Sequence, residues 1–310
     1  MSRTGDFLVF RLSLGPTVWR IAAAPELKDW IQQFARILGL SPWKEATGSV
    51  GIHDERKLFV FPDSETPDEN PPPALFQSKL GGRLPPDGWN AARLSLSKMW
   101  RHPQAPAVIL QVRAEGLGEN GVLAMSEACL PFYIRVIETG GMPLHAALLS
   151  RDGGAVALAA PGSTGKSTCA RRVPRPWREL GDDLGLITAE NTDAGAFMAQ
   201  PFPTWSDYIF KRSERTWAVE TRLPLRAVFF LSQSGEDRAF RMGQGEAAIN
   251  ISQSGHQILS VPARSLPLPE LRRLRAVLFD NACRLVLSLP VYRLEFSLTG
   301  SFWREIERLL

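Results

Sequence analysis

The sequence predicts an α/β fold built around a phosphate-binding loop. Three adjacent features lead to this prediction. The apolar run AVALAA at residues 155–160 is typical of a buried strand, the glycine-rich stretch APGSTGKS overlaps its end, and KSTCARRV then has the composition of a short helix. A strand, a tight turn and a helix in this order let the free backbone N–H groups at the start of a helix bind an anion.

The composition fits a folded protein and excludes several classes. Of the 310 residues, 44% are hydrophobic, which is enough for a core. The 36 basic and 32 acidic residues leave a net charge of +4 with no basic block, so we expect no nucleic-acid partner. Cys129, Cys169 and Cys283 lack CxxC spacing and are expected to be reduced thiols. With no export signal and no long apolar run, the chain is expected to be cytoplasmic and not to span a membrane.

Residues 1–105 are predicted to be a smaller α+β amino-terminal portion, to which the sequence assigns no role. Residues 1–15 alternate like a half-buried strand, residues 25–38 have helical apolar spacing, and residues 57–61 (KLFVF) have strand composition. The segment 62–73 is rich in proline and acidic residues, which predicts a loop or linker. Four tryptophans in this portion either pack a core or dock a partner, and they are Trp19, Trp30, Trp43 and Trp89.

Residues 106–310 are predicted to form a nucleotide-binding α/β domain with a mixed sheet and flanking helices. The expected elements are a strand at 107–116, a helix at 126–141 that ends at two glycines, a hairpin at 144–160, a strand at 226–232 and a helix at 270–287. The arginines of that last helix are expected to form a solvated face, and they are Arg272, Arg273 and Arg275.

Two further segments have less specific signals. Residues 201–217 mix aromatic residues with Lys211, Arg212 and Arg215, and are either a lid that contacts nucleotide or peptide, or a loop held down by Trp205 and Trp217. The glycines of residues 243–257 are expected to mark turns, with His256 at the surface.

The loop supplies the groups that a nucleotide triphosphate needs. Four residues are expected to wrap the phosphates, and they are Gly162, Ser163, Thr164 and Gly165. Lys166 is placed to neutralise the β- and γ-phosphates, Ser167 to bind Mg²⁺, and Thr168 to face the base or to pack. Ala160 stands where the motif has its first glycine, so the backbone is expected to have an ordinary φ there.

Two acidic residues and a histidine flank the loop in sequence. Asp182 and Asp183 follow Lys166 by 16 and 17 residues, at the start of an apolar run. Phosphoryl transfer needs one carboxylate for Mg²⁺ and commonly another to accept a proton, although Gly-Asp-Asp is also ordinary turn chemistry. His145 precedes Lys166 by 21 residues and is either a structural histidine or a residue that the hairpin returns to the phosphate side.

The order HAALLSRDGGAVALAAPGSTGKST and then LGDDLGLI resembles the kinase core of HPr kinase/phosphorylase. The closer likeness is to HPr-kinase-related proteins encoded beside peptide-modification genes, such as the ScmC-type proteins of SynChlorMet cassettes. The resemblance is strongest over residues 130–190 and extends to PFPTWSDY and PVYRLEF. It departs from HPr kinase at PRPW, which shortens the helix after the loop, and at residues 190–260, which lack the later EVRGLG-like signature.

This resemblance implies a fold like that of phosphoenolpyruvate carboxykinase and a role for each site residue. Either Asp183 or Asp182 would be the catalytic base, and the other would assist Mg²⁺, with Asp182 and Ser167 as the candidate metal ligands. His145 would lie near the γ-phosphate, and His145 and Lys166 join the two aspartates as candidate catalytic residues.

The resulting hypothesis is a serine-type kinase that uses ATP, or GTP, and Mg²⁺ to phosphorylate a hydroxyl of a peptide or small protein, and homo-oligomer formation stays open. The alternative is a nucleotide-binding accessory protein of a peptide-modifying assembly that has lost catalysis. A simple nucleotide hydrolase is a third option.

Overall fold

The structure is a computed structural model, and it describes residues 7–43, 54–63, 85, 87–113, 117–162, 164–190 and 196–310. The chain divides into two compact units. The first contains residues 1–131, 205–216 and 265–267, and the second contains residues 132–204, 217–264 and 268–310. Each unit has its own mixed sheet, so the predicted mixed α/β class is confirmed.

The sheet of the first unit has seven strands in its described part, in the order β3-β1-β2-β4-β7-β6-β5. These strands are β1 Leu8–Leu14, β2 Thr17–Ala23, β3 Ser41–Pro42, β4 Asp54–Pro62, β5 Asn90–Arg93, β6 Ser97–Arg101 and β7 Ala107–Val112. The strands β2, β4 and β7 run parallel, and the remaining pairs are antiparallel. The predicted strands at 57–61 and 107–116 correspond to β4 and to β7, which ends at Val112. Most of the predicted 62–73 loop lies outside the described residues.

The sheet of the second unit is branched. Its strands are β8 Met142–Leu144, β9 Ala146–Arg151, β10 Gly154–Ala159, β11 Arg178–Gly181, β12 Leu184–Ala189, β13 Phe197–Phe202, β14 Leu223–Gln233, β15 Arg238–Arg241 and β16 Val291–Phe296. The early part of β14 pairs with β13, whereas its later part lies parallel to both β10 and β16. The predicted hairpin forms between β9 and β10, and its turn places Asp152 and Gly153 at φ values of 50° and 73°.

The helices of the described residues flank these sheets. They are α1 Lys28–Leu38, α2 Glu119–Glu127, α3 Leu130–Glu138, α4 Lys166–Arg172, α5 Trp205–Phe210, α6 Gln244–Leu259, α7 Leu268–Ser288 and α8 Trp303–Leu309, with a 3-10 turn at Pro25–Leu27. None of these helices has both the length and the apolar character needed to cross a membrane. Arg272, Arg273 and Arg275 are exposed on α7, as predicted, and Arg273 pairs with Glu138.

Two tryptophans of the first unit belong to its core. Trp19 and Trp30 are each 2% exposed, and the Trp30 indole N–H donates to the Gly121 carbonyl oxygen at 3.1 Å. Trp30 also stacks on Phe34 of α1 with ring centroids 5.3 Å apart. Of the two alternatives for the tryptophans, core packing is therefore the observed one at these two positions.

Two sequence predictions fail in the helices. The expected helix at 126–141 is instead the end of α2 followed by α3, because Pro131 has no N–H to continue the α2 hydrogen bonds. Residues 243–257 are not turns, since most of them form α6. Gly255 lies inside α6, where an added Cβ would approach the Pro143 carbonyl oxygen to 3.0 Å. His256 is half-buried rather than fully at the surface.

The phosphate-loop candidate rests on a hydrophobic core cluster of the second unit. That core takes residues from the loop, the strands around it and α4 and α8, and includes Ala160, Cys169, Trp177, Phe229 and Phe296. Cys169 is fully buried, and this burial raises the pKa of its thiol to about 11. The loop and the start of α4 are therefore fixed to a packed base.

Candidate functional site

The residues predicted to form the phosphate loop lie between β10 and α4. Gly165 has a φ of 111° and is the residue that precedes Lys166 at the start of α4. An added Cβ on Gly165 would also approach the Phe296 ring to 3.2 Å, so glycine is required there for two reasons. The Thr164 hydroxyl donates to the Pro161 carbonyl oxygen at 2.9 Å, and Gln233 Nε2 donates to the Thr164 carbonyl oxygen at 3.2 Å. Ser163 lies outside the described residues.

Ala160 fits the loop without strain. Its φ is not in the left-handed region, and its side chain is 4% exposed and packs in the core. The residue directly extends β10, so a Cβ is tolerated where many phosphate loops have glycine. The prediction of an ordinary φ at Ala160 is therefore confirmed.

Lys166 is buried at the base of the loop. It is 5% exposed, and its ammonium donates to the carbonyl oxygens of Ala160 at 2.9 Å and Pro161 at 3.3 Å. A third contact joins Nζ to His145 Nε2 at 2.8 Å. Burial lowers the pKa of Lys166, and the negative charges of Asp183 and Asp182 oppose this effect. The lysine is thus a desolvated cation whose attraction for an anion is only weakly screened.

His145 connects Lys166 to the acidic pair. Its Nδ1 lies 3.3 Å from Asp183 Oδ1, on the side of the ring opposite Lys166. Burial is the main reason that the pKa of His145 is lowered; Lys166 lowers it further, whereas Asp183 raises it. Since Nε2 faces a donor, Nε2 accepts, and the ring proton of the neutral imidazole lies on Nδ1, toward the Asp183 carboxylate.

The two adjacent aspartates have different surroundings. Asp182 is 8% exposed and accepts a hydrogen bond from the Thr204 hydroxyl at 2.9 Å, with Thr204 itself 5% exposed. Asp183 has a side chain that is 38% exposed and faces His145. One carboxylate is therefore held in place inside the protein, while its neighbour remains accessible.

Strand registers explain why residues distant in sequence meet here. Leu144 of β8 pairs with Gly185 of β12, and the next strand begins at Ala146, which pairs with Ala159 of β10. His145 lies between these two pairs, so it sits between the start of β12, next to the acidic pair, and the end of β10, next to the loop. Of the predicted site residues, the structure thus brings together His145, Lys166, Asp182 and Asp183.

The remaining predicted residues lie on the first turn of α4. Ser167 is half-buried, and Thr168 is exposed, which does not fit a packing role for Thr168. Among the described residues, no group of three or more His, Cys, Asp or Glu is placed to hold a metal ion. Magnesium in phosphotransferases is commonly bound by only one or two protein oxygens together with substrate phosphates. Ser167 and Asp182 supply oxygens of that kind, so the donor set fits Mg²⁺ brought in with a nucleotide.

Sequence reasoning missed two residues that contact this site. The sequence places Thr204 only within the 201–217 segment, and Ser254 only within the segment expected to form turns. Neither has a local sequence signal, because each contacts a residue more than 20 positions away. In the 201–217 segment itself, Trp205 and Trp217 are 9% and 2% exposed, and Lys211 pairs with Asp207 at 2.6 Å. Burial of these two indoles agrees with the alternative in which they hold the segment down.

A comparison with protein families identifies one match. The model of the SynChlorMet cassette protein ScmC family matches residues 109–310. The chain belongs to this ScmC family. Every site residue described above lies inside the matched range, and the family description associates the protein with a gene cassette. A search of curated proteins finds no match to this ScmC family member.

Proposed function

We propose that the second unit, which contains residues 132–204, 217–264 and 268–310, has a P-loop core of the HPr kinase type and transfers the γ-phosphoryl group of ATP to a hydroxyl of a peptide or small protein. The acceptor would be encoded in the same cassette. The observation that carries the proposal is the continuous chain of contacts from Lys166 through His145 to Asp183. A solvated Gly-Asp-Asp turn would have no reason to place its carboxylate against a histidine that contacts the loop lysine.

The proposal gives each residue a role based on its surroundings. Lys166 and the backbone N–H groups of the loop bind the phosphates, and Lys166 exchanges its carbonyl partners for phosphate oxygens. Mg²⁺, held by Ser167 and Asp182, would supply charge neutralisation. Thr204 supports this role because its hydrogen bond fixes the Asp182 carboxylate in one orientation.

Asp183 fits the catalytic base better than Asp182, because it is the more accessible of the two. The acceptor hydroxyl oxygen forms a bond to the γ-phosphorus, the bond to the β,γ-bridging oxygen breaks, and ADP leaves. The hydroxyl proton passes to the Asp183 carboxylate. His145, neutral and donating from Nδ1, holds that carboxylate in position.

The test is transfer of label from [γ-³²P]ATP to synthetic peptides matching those encoded in the cassette, with equilibrium ATP binding measured in parallel. The native protein is expected to label a peptide. Asp183→Asn is expected to bind ATP within about threefold of the native protein and to lose about a hundredfold or more in transfer rate. Lys166→Met is expected to lose binding as well.

Asp152→Asn is the matched control, because Asp152 is an exposed turn residue of the same unit. Its φ is positive, and asparagine tolerates this conformation as well. ATP binding without transfer to any peptide would refute the kinase and favour the accessory protein, for which the missing EVRGLG-like signature is the supporting observation. Release of phosphate without labelling would instead identify a hydrolase.

A further inference from the structure

We infer that Ser254 is a positioning residue for His145 and so sets the alignment of the Lys166–His145–Asp183 chain. This inference rests on the proposed function of that chain. It comes from a contact between α6, for which the sequence predicted only turns, and the junction of β8 and β9.

His145 is the residue at which the backbone passes from one pair of strands to another. It belongs neither to β8, which ends at Leu144, nor to β9, which begins at Ala146. Its backbone polar groups therefore need partners other than the strand ladders, because the site is largely buried.

The Ser254 hydroxyl supplies both partners. Its oxygen accepts from the His145 backbone N–H at 3.0 Å, and its O–H donates to the His145 carbonyl oxygen at 3.3 Å. Ser254 is 5% exposed, so water does not compete effectively for these bonds. One side chain thus fixes the peptide groups on both sides of the His145 Cα atom.

Gly255 makes this contact geometrically feasible. An added Cβ there would lie 3.0 Å from the Pro143 carbonyl oxygen and 3.1 Å from a Leu278 methyl carbon. Because Gly255 has no side chain, helix α6 approaches β8 without these close contacts, and Ser254 reaches His145. Ser254 and Gly255 therefore act together: Gly255 allows the close approach, and Ser254 makes the hydrogen bonds.

Fixing the backbone of His145 also fixes the position of its imidazole ring. Its two ring nitrogens contact groups on opposite sides, at 2.8 Å from Lys166 Nζ and 3.3 Å from Asp183 Oδ1. Both contacts hold only while the Cα atom of His145 stays in place, because a shift toward one partner lengthens the distance to the other. Without Ser254, the ring is expected to lose this orientation. Its proton is then no longer held on Nδ1 by these two contacts.

The experiment compares Ser254→Ala with Ser252→Ala. Ser252 lies on the same helix with the same 5% exposure and makes no hydrogen bond to the described site residues, so it matches the loss of a buried hydroxyl. The first readout is the ¹⁵N spectrum of the imidazole side chains, which distinguishes the two ring tautomers. The four histidines give few signals, and the His145 signal is assigned as the one missing from His145→Gln.

In the native protein and in Ser252→Ala, we expect the His145 signal of a ring protonated on Nδ1. In Ser254→Ala, the signal is expected to move toward that of a mixture of tautomers. The second readout is peptide phosphorylation, for which we expect kcat about ten- to a hundredfold lower with KM for ATP nearly unchanged, since misplacement of a group by about 1 Å costs rates of this order. Gly255→Ala, which keeps the hydroxyl but displaces it, should shift both readouts in the same direction.

Identical His145 signals in Ser254→Ala and Ser252→Ala would overturn the inference. If Ser254→Ala does not fold, Ser254→Cys and Ser252→Cys replace the pair, because the thiol keeps the shape and weakens the hydrogen bonds. The spectrum does not depend on turnover, so absence of any peptide labelling by the native protein would count against the proposed kinase and leave this comparison decisive for Ser254.

Discussion

Gly162 and Gly165, which flank Ser163 and Thr164 in the loop, are predicted to have different effects when each is replaced by alanine. Gly165 has a φ of 111°, and its Cβ would lie 3.2 Å from the Phe296 ring. Gly162 has no positive φ, and its Cβ would meet nothing within 4 Å. Gly165→Ala should therefore damage the fold, whereas Gly162→Ala should leave the fold intact and affect only what binds above the loop.

The magnitudes follow from these surroundings. A Cβ in the left-handed region costs about 1–2 kcal/mol. Displacing the buried Phe296 ring adds about 1 kcal/mol or more, the lower end for overpacking a core. A total near 3 kcal/mol lowers the Tm by about 6–12 °C for a unit of ordinary size. Gly162→Ala should change stability by less than about 0.5 kcal/mol.

For ATP binding, the variant expected to show the direct effect is Gly162→Ala. In Gly162→Ala, the exposed Cβ obstructs the approach of phosphate to the backbone N–H groups. Loss of one such charge-assisted hydrogen bond costs about 1.5–3 kcal/mol, which raises the Kd for ATP by about ten- to 150-fold. Scanning calorimetry measures the Tm of Gly165→Ala, and isothermal titration with Mg-ATP measures the Kd of Gly162→Ala. Native-like ATP affinity in Gly162→Ala, or a native Tm in Gly165→Ala, would refute this account of the loop.

Three further predictions follow from single contacts. Thr204→Val removes the donor to the buried Asp182 carboxylate and should lower the free energy of unfolding by about 1–3 kcal/mol in urea titrations, whereas Thr204→Ser should retain most of it. Ala160→Gly should lower stability by about 0.5–1 kcal/mol without tightening ATP binding, because this position needs no positive φ; tighter binding would contradict the prediction. Burial, with help from Arg275, lowers the pKa of His256, so the unfolded chain takes up that proton more readily and stability is lost as the pH falls below about 6.5. His256→Gln should flatten this loss in unfolding curves measured between about pH 6.5 and 5, and an unchanged slope would count against it.

The parts of the structure that the sequence predicted are those with a local cause. The hairpin before the loop is local, because Asp152 and Gly153 accept positive φ and the apolar runs on either side are buried strands. The loop and the short α4 follow for the same reason. The failure at α6 depends on a tertiary contact: α6 contains glycines and serines that favour turns in isolation, yet Gly255 is there because β8 lies against the helix. The failure at 126–141 has a local cause, Pro131, which the apolar spacing of that segment does not reveal. In α6, close packing against β8 outweighs the low helix propensity of glycine and serine.

The candidate site shows the same division between local and tertiary information. Its residues could be named from spacing and resemblance, but their partners depend on strand register. The pair Leu184–Phe202 joins β12 to β13 in antiparallel register, so moving two residues beyond it in each strand reaches Asp182 and Thr204, which are hydrogen-bonded.

The same register controls both aspartates. A shift of one residue between β12 and β13 would move Thr204 away from Asp182, and a shift between β8 and β12 would move His145 away from Asp183. The apolar faces of these strands oppose such shifts, because each would turn buried residues such as Leu186 and Phe202 to the other face of the sheet. The geometry of the polar site is thus maintained by the hydrophobic core. Core substitutions in β8 or β12 should impair the site before they unfold the unit.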